Sequence, residues 1–444
     1  MSGRRSPWRI PWFSGPGGVS LVVKVSVTFA VTFALTFAIL ALATQAARAT
    51  TWIVGQDGRG LIATVAAAQS GDRVEVPDGV WKGPVVIDKA ITLVGTGGVV
   101  DGQGDGITVM ISAAGAIVAD LKIRNSGSTL SGLPPDACVH VTKTATGATV
   151  RGCKLERCAF GIWVHQTDKA RIEQNVVIGM ETGHRSYRGN GIHLFDASHL
   201  VVSGNRVSGG RDGIYVSATE DSVIADNVLE RTRYGIHYMF SYRNTVRGNR
   251  ATGCGSGYAI MSSHHLKVTH NVATENEHHG LLFRDVQYSR IAHNVMTRNG
   301  EGLFFYSSTE NVIVDNDVLH NGVGAKIWAG SVRNVVSRNR FVGNRRQVFY
   351  VSTVDLVWAE TGVGNRWGDY LGWDADGDGI GDRPYRVDGF TATLVYRFPA
   401  AVLLLRSPTL ELLSHLERRL PMLRTATVID RHPLVAARAN EVSR

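Results

Sequence analysis

The sequence predicts an all-β chain wound as a parallel β-helix, and three observations carry that prediction. Asn205, Asn227, Asn249, Asn271, Asn294, Asn316 and Asn339 follow one another at steps of 22, 22, 22, 23, 22 and 23 residues. A fixed period in the twenties marks a solenoid. Each repeat is broken by Gly, Asn or Asp into short runs with period-2 alternation, none long enough for a helix. The 50 glycines supply the many tight turns that such winding needs. Short strands at a constant coil length of about 22 residues pair only with neighbouring coils. The Asn side chains are expected to stack as a ladder inside one turn, bonding backbone groups that the turn leaves free.

Taken in order, the chain opens with Arg4, Arg5, Arg9 and Lys24, an apolar stretch from Val25 to Leu42, and Ala47-Arg48-Ala49. A basic start, an apolar run and a small-x-small site describe a secretory signal peptide over 1–49, with the mature chain starting at Thr50. The apolar run would also be long enough to stay as a membrane anchor. Leu61 to Gln69 is amphipathic and predicts a helix that caps the open end of the solenoid. The β-helix itself spans 50–360. Two insertions leave its coils, at Gly127 to Ala137 and at Glu181 to Asn190, and the second lengthens the step from Asn175 to Asn205 to 30 residues. Residues 361–390 are rich in Trp, Asp and Gly and read as a cap. Residues 391–444 form a C-terminal extension, with an apolar run at Pro399 to Leu405. A helix over Thr409 to Leu420 would start at Ser407-Pro408 and set Leu410, Leu413, Leu416 and Leu420 along one side. Such a helix either folds back on the solenoid or docks on a partner.

The net charge is +9, yet only 19% of residues are charged and the arginines are scattered. A nucleic-acid footprint would cluster them, so no nucleic acid is expected. Four cysteines are present, Cys138, Cys153, Cys158 and Cys254. An oxidising compartment allows a disulfide, but all four are expected as structural thiols. Cys153 stands 22 residues before Asn175, at a ladder position.

A regular repeat converts sequence into surface. Coils align on the glycine that opens one strand: Gly161, Gly191, Gly213, Gly235, Gly257, Gly280 and Gly302. The first and third residues after it are apolar or aromatic in every coil, from Ile162 and Val164 to Leu303 and Phe305, and so point inward. The second and fourth then point out. One outward column reads Trp163, His193, Tyr215, His237, Ala259, Leu282 and Phe304. The other reads His165, Phe195, Ser217, Met239, Met261, Arg284 and Tyr306. Met239 and Met261 are thus neighbours on adjacent coils, with His237 two residues from Met239 and with His264 and His265 just beyond the strand end. Thioethers beside imidazoles suit Cu(I), because both ligands survive where a thiol would oxidise. The same methionines would also serve to pack under a loop or against a partner.

Asp374, Asp376, Asp378 and Asp382 alternate with glycines as in the front half of a calcium loop, with Gly379 at the sixth position. Tyr385 stands where an EF-hand needs glutamate, so a shorter loop for calcium or magnesium is expected, or else a plain acidic turn. Many extracellular β-helices act on acidic polysaccharides as lyases or epimerases, using paired carboxylates or a base beside calcium. The two outward columns hold no carboxylate, so no catalytic residue is assigned. A calcium-dependent lyase or epimerase and a non-catalytic assembly scaffold are the alternatives to soft-metal binding.

The segments RYGIHYMFS (233–241), GYAIMSSHHL (257–266), GLFFYSSTENVI (302–313), NRWGDY with DADGDGIGDRPYRVD (365–388) and VIDRHPL (428–434) together resemble the NosD family of periplasmic accessory proteins of nitrous-oxide reductase maturation. The resemblance covers essentially the whole mature chain. It implies a right-handed β-helix without catalytic chemistry that mediates transient copper binding. It implies work beside an ABC transporter, made of a membrane subunit and a cytoplasmic ATPase. It also implies copper supply from a small periplasmic lipoprotein and delivery to the copper centres of nitrous-oxide reductase. The family's Met-bearing coils map onto Met239 and Met261; His237, His264 and His265 are added from coil geometry. The C-terminal helix would dock on the transporter's membrane subunit and so associate the exported protein with the inner membrane.

Overall fold

A computed structural model describes residues 49–328, 330–351, 356–359, 362–387 and 427–435, with isolated positions between 398 and 416. The signal peptide expected over 1–49, the apolar run at Pro399 to Leu405, and Leu410, Leu413 and Leu420 lie outside the described residues, apart from Ala49 and Ala400. Leu416 is helical and half-buried. No helix among the described residues is long and apolar enough to cross a membrane.

Three parallel sheets of 13, 12 and 13 strands run the length of the solenoid, and each coil gives one strand to each sheet. Most strands of the first and third sheets are three residues long, such as Val201–Ser203 and Arg206–Ser208. Strands of the middle sheet are longer, up to the nine residues of Ser256–His264. The predicted cap is a helix at Leu61–Ala67, which buries Leu61, Thr64 and Val65. Lys89 ties down its end, its Nζ donating to the carbonyls of Val65, Ala66 and Ala68 at 3.3, 2.7 and 2.7 Å. Those are orphan carbonyls that a helix C-terminus leaves for a cation.

The asparagine ladder forms as expected. The backbone N–H and Nδ2 of Asn205 both donate to Asn227 Oδ1, and the pattern repeats through Asn249, Asn271, Asn294, Asn316, Asn339 and Asn365. Each Nδ2 also reaches a carbonyl from the preceding coils, as Asn249 does to Ile224. The residue before each Asn from Asn205 to Asn339 takes the left-handed conformation, Asp226 at φ 57° and His270 at φ 57° for example. That conformation turns the chain sharply while the Asn faces inward. Cys153 is the first rung, its N–H donating to Asn175 Oδ1. The last rung is Asp430, whose Oδ2 accepts from Asn365 N, Asn365 Nδ2 and Trp367 Nε1. Only acceptors are needed where the ladder stops, and a carboxylate supplies them. A second ladder, unforeseen, runs from Cys254 through Asn276, Asn299, Asn321 and Asn344.

One cysteine expectation is corrected. Cys138 and Cys158 form a disulfide, their Cα atoms 5.5 Å apart on adjacent coils, a separation within disulfide reach. Cys153 and Cys254 remain buried thiols.

Candidate functional site

The aligned columns lie in register. Trp163, His193, Tyr215, His237, Ala259, Leu282 and Phe304 pair in succession across the middle sheet. So do His165, Phe195, Ser217, Met239, Met261, Arg284 and Tyr306. The inward partners are buried throughout, from Ile162 at 0% to Phe305 at 4% exposure. Met239 and Met261 are direct cross-strand neighbours and both are half-buried.

The outward face is less open than the alternation implies. His193 is 7% and His237 8% exposed. The cause is ring packing at strand spacing: Trp163 to His193, His193 to Tyr215 and Tyr215 to His237 have centroids 4.0, 4.6 and 4.8 Å apart. Tyr234 closes on His237 from the strand start at 4.9 Å. Rings so stacked shield one another from water.

A third set of residues also joins this face, and the sequence reading missed it. These are the residues just before the aligned glycines: Asn190, Asp212, Tyr234, Ser256, His279 and Glu301. Asp212 is fully buried. Its Oδ2 meets His237 Nδ1 at 3.0 Å, and Arg233 donates to both of its oxygens, at 2.8 and 2.6 Å. Burial by itself would raise the Asp212 carboxyl; the bonds from His237 and Arg233 outweigh it and hold the group below its usual range. His237 Nε2 is buried and has no hydrogen-bond partner among the described residues. Two coils before His237, Asn190 Nδ2 meets His193 Nδ1 at 3.1 Å. Burial, with Arg211 nearby, pushes His193 down to about 3, so its ring is neutral at neutral pH. The signal for Asp212 was its place one residue before Gly213.

His264, expected past the strand end, is instead the last residue of the Met261 strand, and His265 follows it at the corner past the flat of the face. Their Nδ1 atoms approach to 2.8 Å, between the rings of Tyr242 and Tyr288. Burial, then the neighbouring His265 and Arg243, lower His264. The two imidazoles are close enough to reach one ion. The Glu181–Asn190 insertion lies along the start of the same face: Glu181 pairs with Arg231 at 3.4 Å and Arg185 with Glu277 at 3.8 Å.

The free thiols are absent from this face. Burial pushes Cys153 up to about 12 and raises Cys254 as well, so neither offers a thiolate. In the Asp loop, carboxylate oxygens of Asp374, Asp376 and Asp378 lie within 4.8 Å of one another. Asp382 is not in that group; its Oδ2 accepts from Ala375 N at 2.9 Å. The Gly379 N–H leads the contacts that hold the Asp374 carboxyl low.

Residues 178–372 match the family model described as periplasmic copper-binding protein (NosD), and residues 85–209 match that of the right handed beta helix region. The handedness is therefore the one expected. A Pseudomonas aeruginosa protein named probable ABC transporter binding protein NosD is 36% identical over 389 residues, covering 84% of this chain and 90% of its own length. A protein of the same name from Stutzerimonas stutzeri is 33% identical over 381 residues, covering 82% of this chain and 87% of its own. Among solved structures, the Dettilon tailspike protein (gp208) has a TM-score of 0.48 at 14% identity, covering 66% of this chain and 64% of its own; at that distance it bears on no activity.

Proposed function

The chain belongs to the NosD family, and from that premise we propose that it is a periplasmic, exported copper-handling protein that takes up Cu(I) on the middle sheet and passes it on. The methionines Met239 and Met261 supply two thioethers, and His237 supplies Nε2. His264 and His265, at the strand end and the corner past it, form the adjoining pair of imidazoles. The single observation that carries this reading is the state of His237. Its Nδ1 is taken by Asp212 while its Nε2 is buried and unpartnered, on the strand of Met239 and beside that of Met261.

The donor set fits a cargo in transit. Thioether sulfur and neutral imidazole favour a soft monovalent ion. None of these ligands is anionic, so the bound ion keeps its charge and no thiolate has to be displaced when it leaves. The aromatic rings around His237 and His193 keep water off the imidazole edge. An ABC transporter is the partner at the membrane, through its membrane subunit and cytoplasmic ATPase, and the C-terminal segment that the sequence predicts as a helix, with Leu410, Leu413, Leu416 and Leu420, docks there. A periplasmic lipoprotein supplies the copper, and nitrous-oxide reductase receives it. The test is Cu(I) affinity of the mature chain by chelator competition, with Met239→Leu and Met261→Leu combined. Loss of binding with an unchanged melting temperature supports the assignment; unchanged affinity removes it.

A second reading has one observation behind it. A buried carboxylate that orients an imidazole is also how a general base is built, and Asp212 with His237 has that form. Incubation with uronate polymers would reveal a lyase through unsaturated product ends. The copper reading expects none.

A further inference from the structure

Two histidines stand two coils apart in one outward column, and their Nδ1 atoms have opposite partners. Asn190 Oδ1 accepts from Arg211 Nε at 3.1 Å and from Asp212 N at 3.3 Å. Both of those groups can only donate, so the amide orientation of Asn190 is settled and its Nδ2 faces His193 Nδ1 as a donor. His193 Nδ1 is then the acceptor, and the neutral ring carries its proton on Nε2. His237 is reversed. Its Nδ1 faces a carboxylate that Arg233 holds in a two-pronged grip. A carboxylate only accepts, so Nδ1 carries a proton, and in the neutral ring Nε2 then keeps its lone pair. Both Nε2 atoms are buried without partners among the described residues, yet one is a donor and the other a ligand.

We propose that Asp212, clamped by Arg233, is a positioning residue that selects the His237 tautomer with Nε2 as a metal ligand, while Asn190 withholds His193 from the same role. The inference rests on the copper reading above and names what makes one imidazole of the column competent. Two otherwise similar rings are sorted by the residue that each meets at Nδ1, an Asp for one and an Asn for the other. Oriented partners of this kind fix the ring and raise ligand basicity in metal sites generally, and removing them costs about 10- to 100-fold in metal affinity.

Asp212→Asn tests the inference within the protein's own logic. Arg233 would claim the amide oxygen, the Nδ2 would turn to His237, and His237 would adopt the state of His193. Long-range proton–nitrogen spectra of the 15N-labelled apo mature chain read each tautomer without any metal. The expected result is Nδ1–H for His237 in the wild type, Nε2–H for His237 in Asp212→Asn, and Nε2–H for His193 in both. Chelator competition should then show Cu(I) binding by Asp212→Asn weakened about 10- to 100-fold, with Met239 and Met261 untouched. Wild-type His237 carrying its proton on Nε2 overturns the inference and needs no variant to fold. An Asp212→Asn protein that keeps both the wild-type tautomer and the wild-type affinity overturns it too, while leaving the methionine site standing. A wild type that binds no Cu(I) removes the copper reading and with it the ligand role, and the tautomer spectra still decide whether Asp212 controls the ring.

Discussion

Replacing Asn249 with Ala removes the middle of the ladder. The side chain is fully buried and makes four bonds. It accepts from Asn227 N at 3.0 Å and Asn227 Nδ2 at 2.9 Å, and it donates to Ile224 O at 2.9 Å and Asn271 Oδ1 at 3.0 Å. Two of the partners are partly protected. Asn227 Nδ2 keeps Val202 O, and Asn271 Oδ1 keeps the Asn249 backbone N–H. The Ile224 carbonyl loses its side-chain donor but lies in a paired strand, whereas the Asn227 N–H is stranded in the turn. A buried polar group left bare costs about 1–3 kcal/mol, so the substitution should cost about 2–5 kcal/mol. In a solenoid each coil senses only its neighbours, so the loss should be local before it is global. Native-state hydrogen exchange of the mature chain is the assay, read at the Asn227 amide and along the three coils around it. Protection there should fall steeply while the coils near Cys153 keep theirs. A loss under about 1 kcal/mol, below what one stranded amide costs, or one spread evenly over the whole solenoid, would refute the reasoning.

Two further outcomes are expected. His193, pushed down to about 3 by burial, should stay neutral from pH 8 to pH 5 in its ring nitrogen shifts. The sign is that of a depressed group: the stability tied to its neutral form is complete above the ordinary value of 6.5 and is lost as pH falls toward 3; a midpoint near 6.5 would mean the ring is hydrated. Adding Ca²⁺ at a hundredfold excess over its dissociation constant should stabilise the chain by about 2.7 kcal/mol through the Asp374 loop, and Asp374→Asn with Asp376→Asn should abolish the rise in melting temperature; no rise in the wild type makes the loop a plain turn.

Much of the site was legible because the repeat is rigid. Once the period is known, register follows, and the alignment on Gly235 and Gly257 brings Met239 beside Met261 without any coordinates. The inward columns follow from the same arithmetic. What register does not carry is reach. Asp212 lies one residue outside the columns that alternation defines, at the corner where the strand begins, and only its side-chain direction takes it to His237 on the next coil. Exposure was misjudged for a related reason. Alternation says which way a side chain points, but the rings of Trp163, His193, Tyr215 and His237 are large enough at strand spacing to cover one another.

By itself the sequence determined the winding, the coil length, the ladder, the first rung at Cys153 and the pairing of the two methionines. Each of these depends only on a period repeated along the chain. Tertiary structure alone decided the Cys138–Cys158 bond, the closing of the ladder by Asp430, 65 residues beyond Asn365, and the opposite states of His193 and His237. Those depend on where side chains end at corners, insertions and the returning C-terminal strand, where the repeat is broken and the period no longer says which atoms meet.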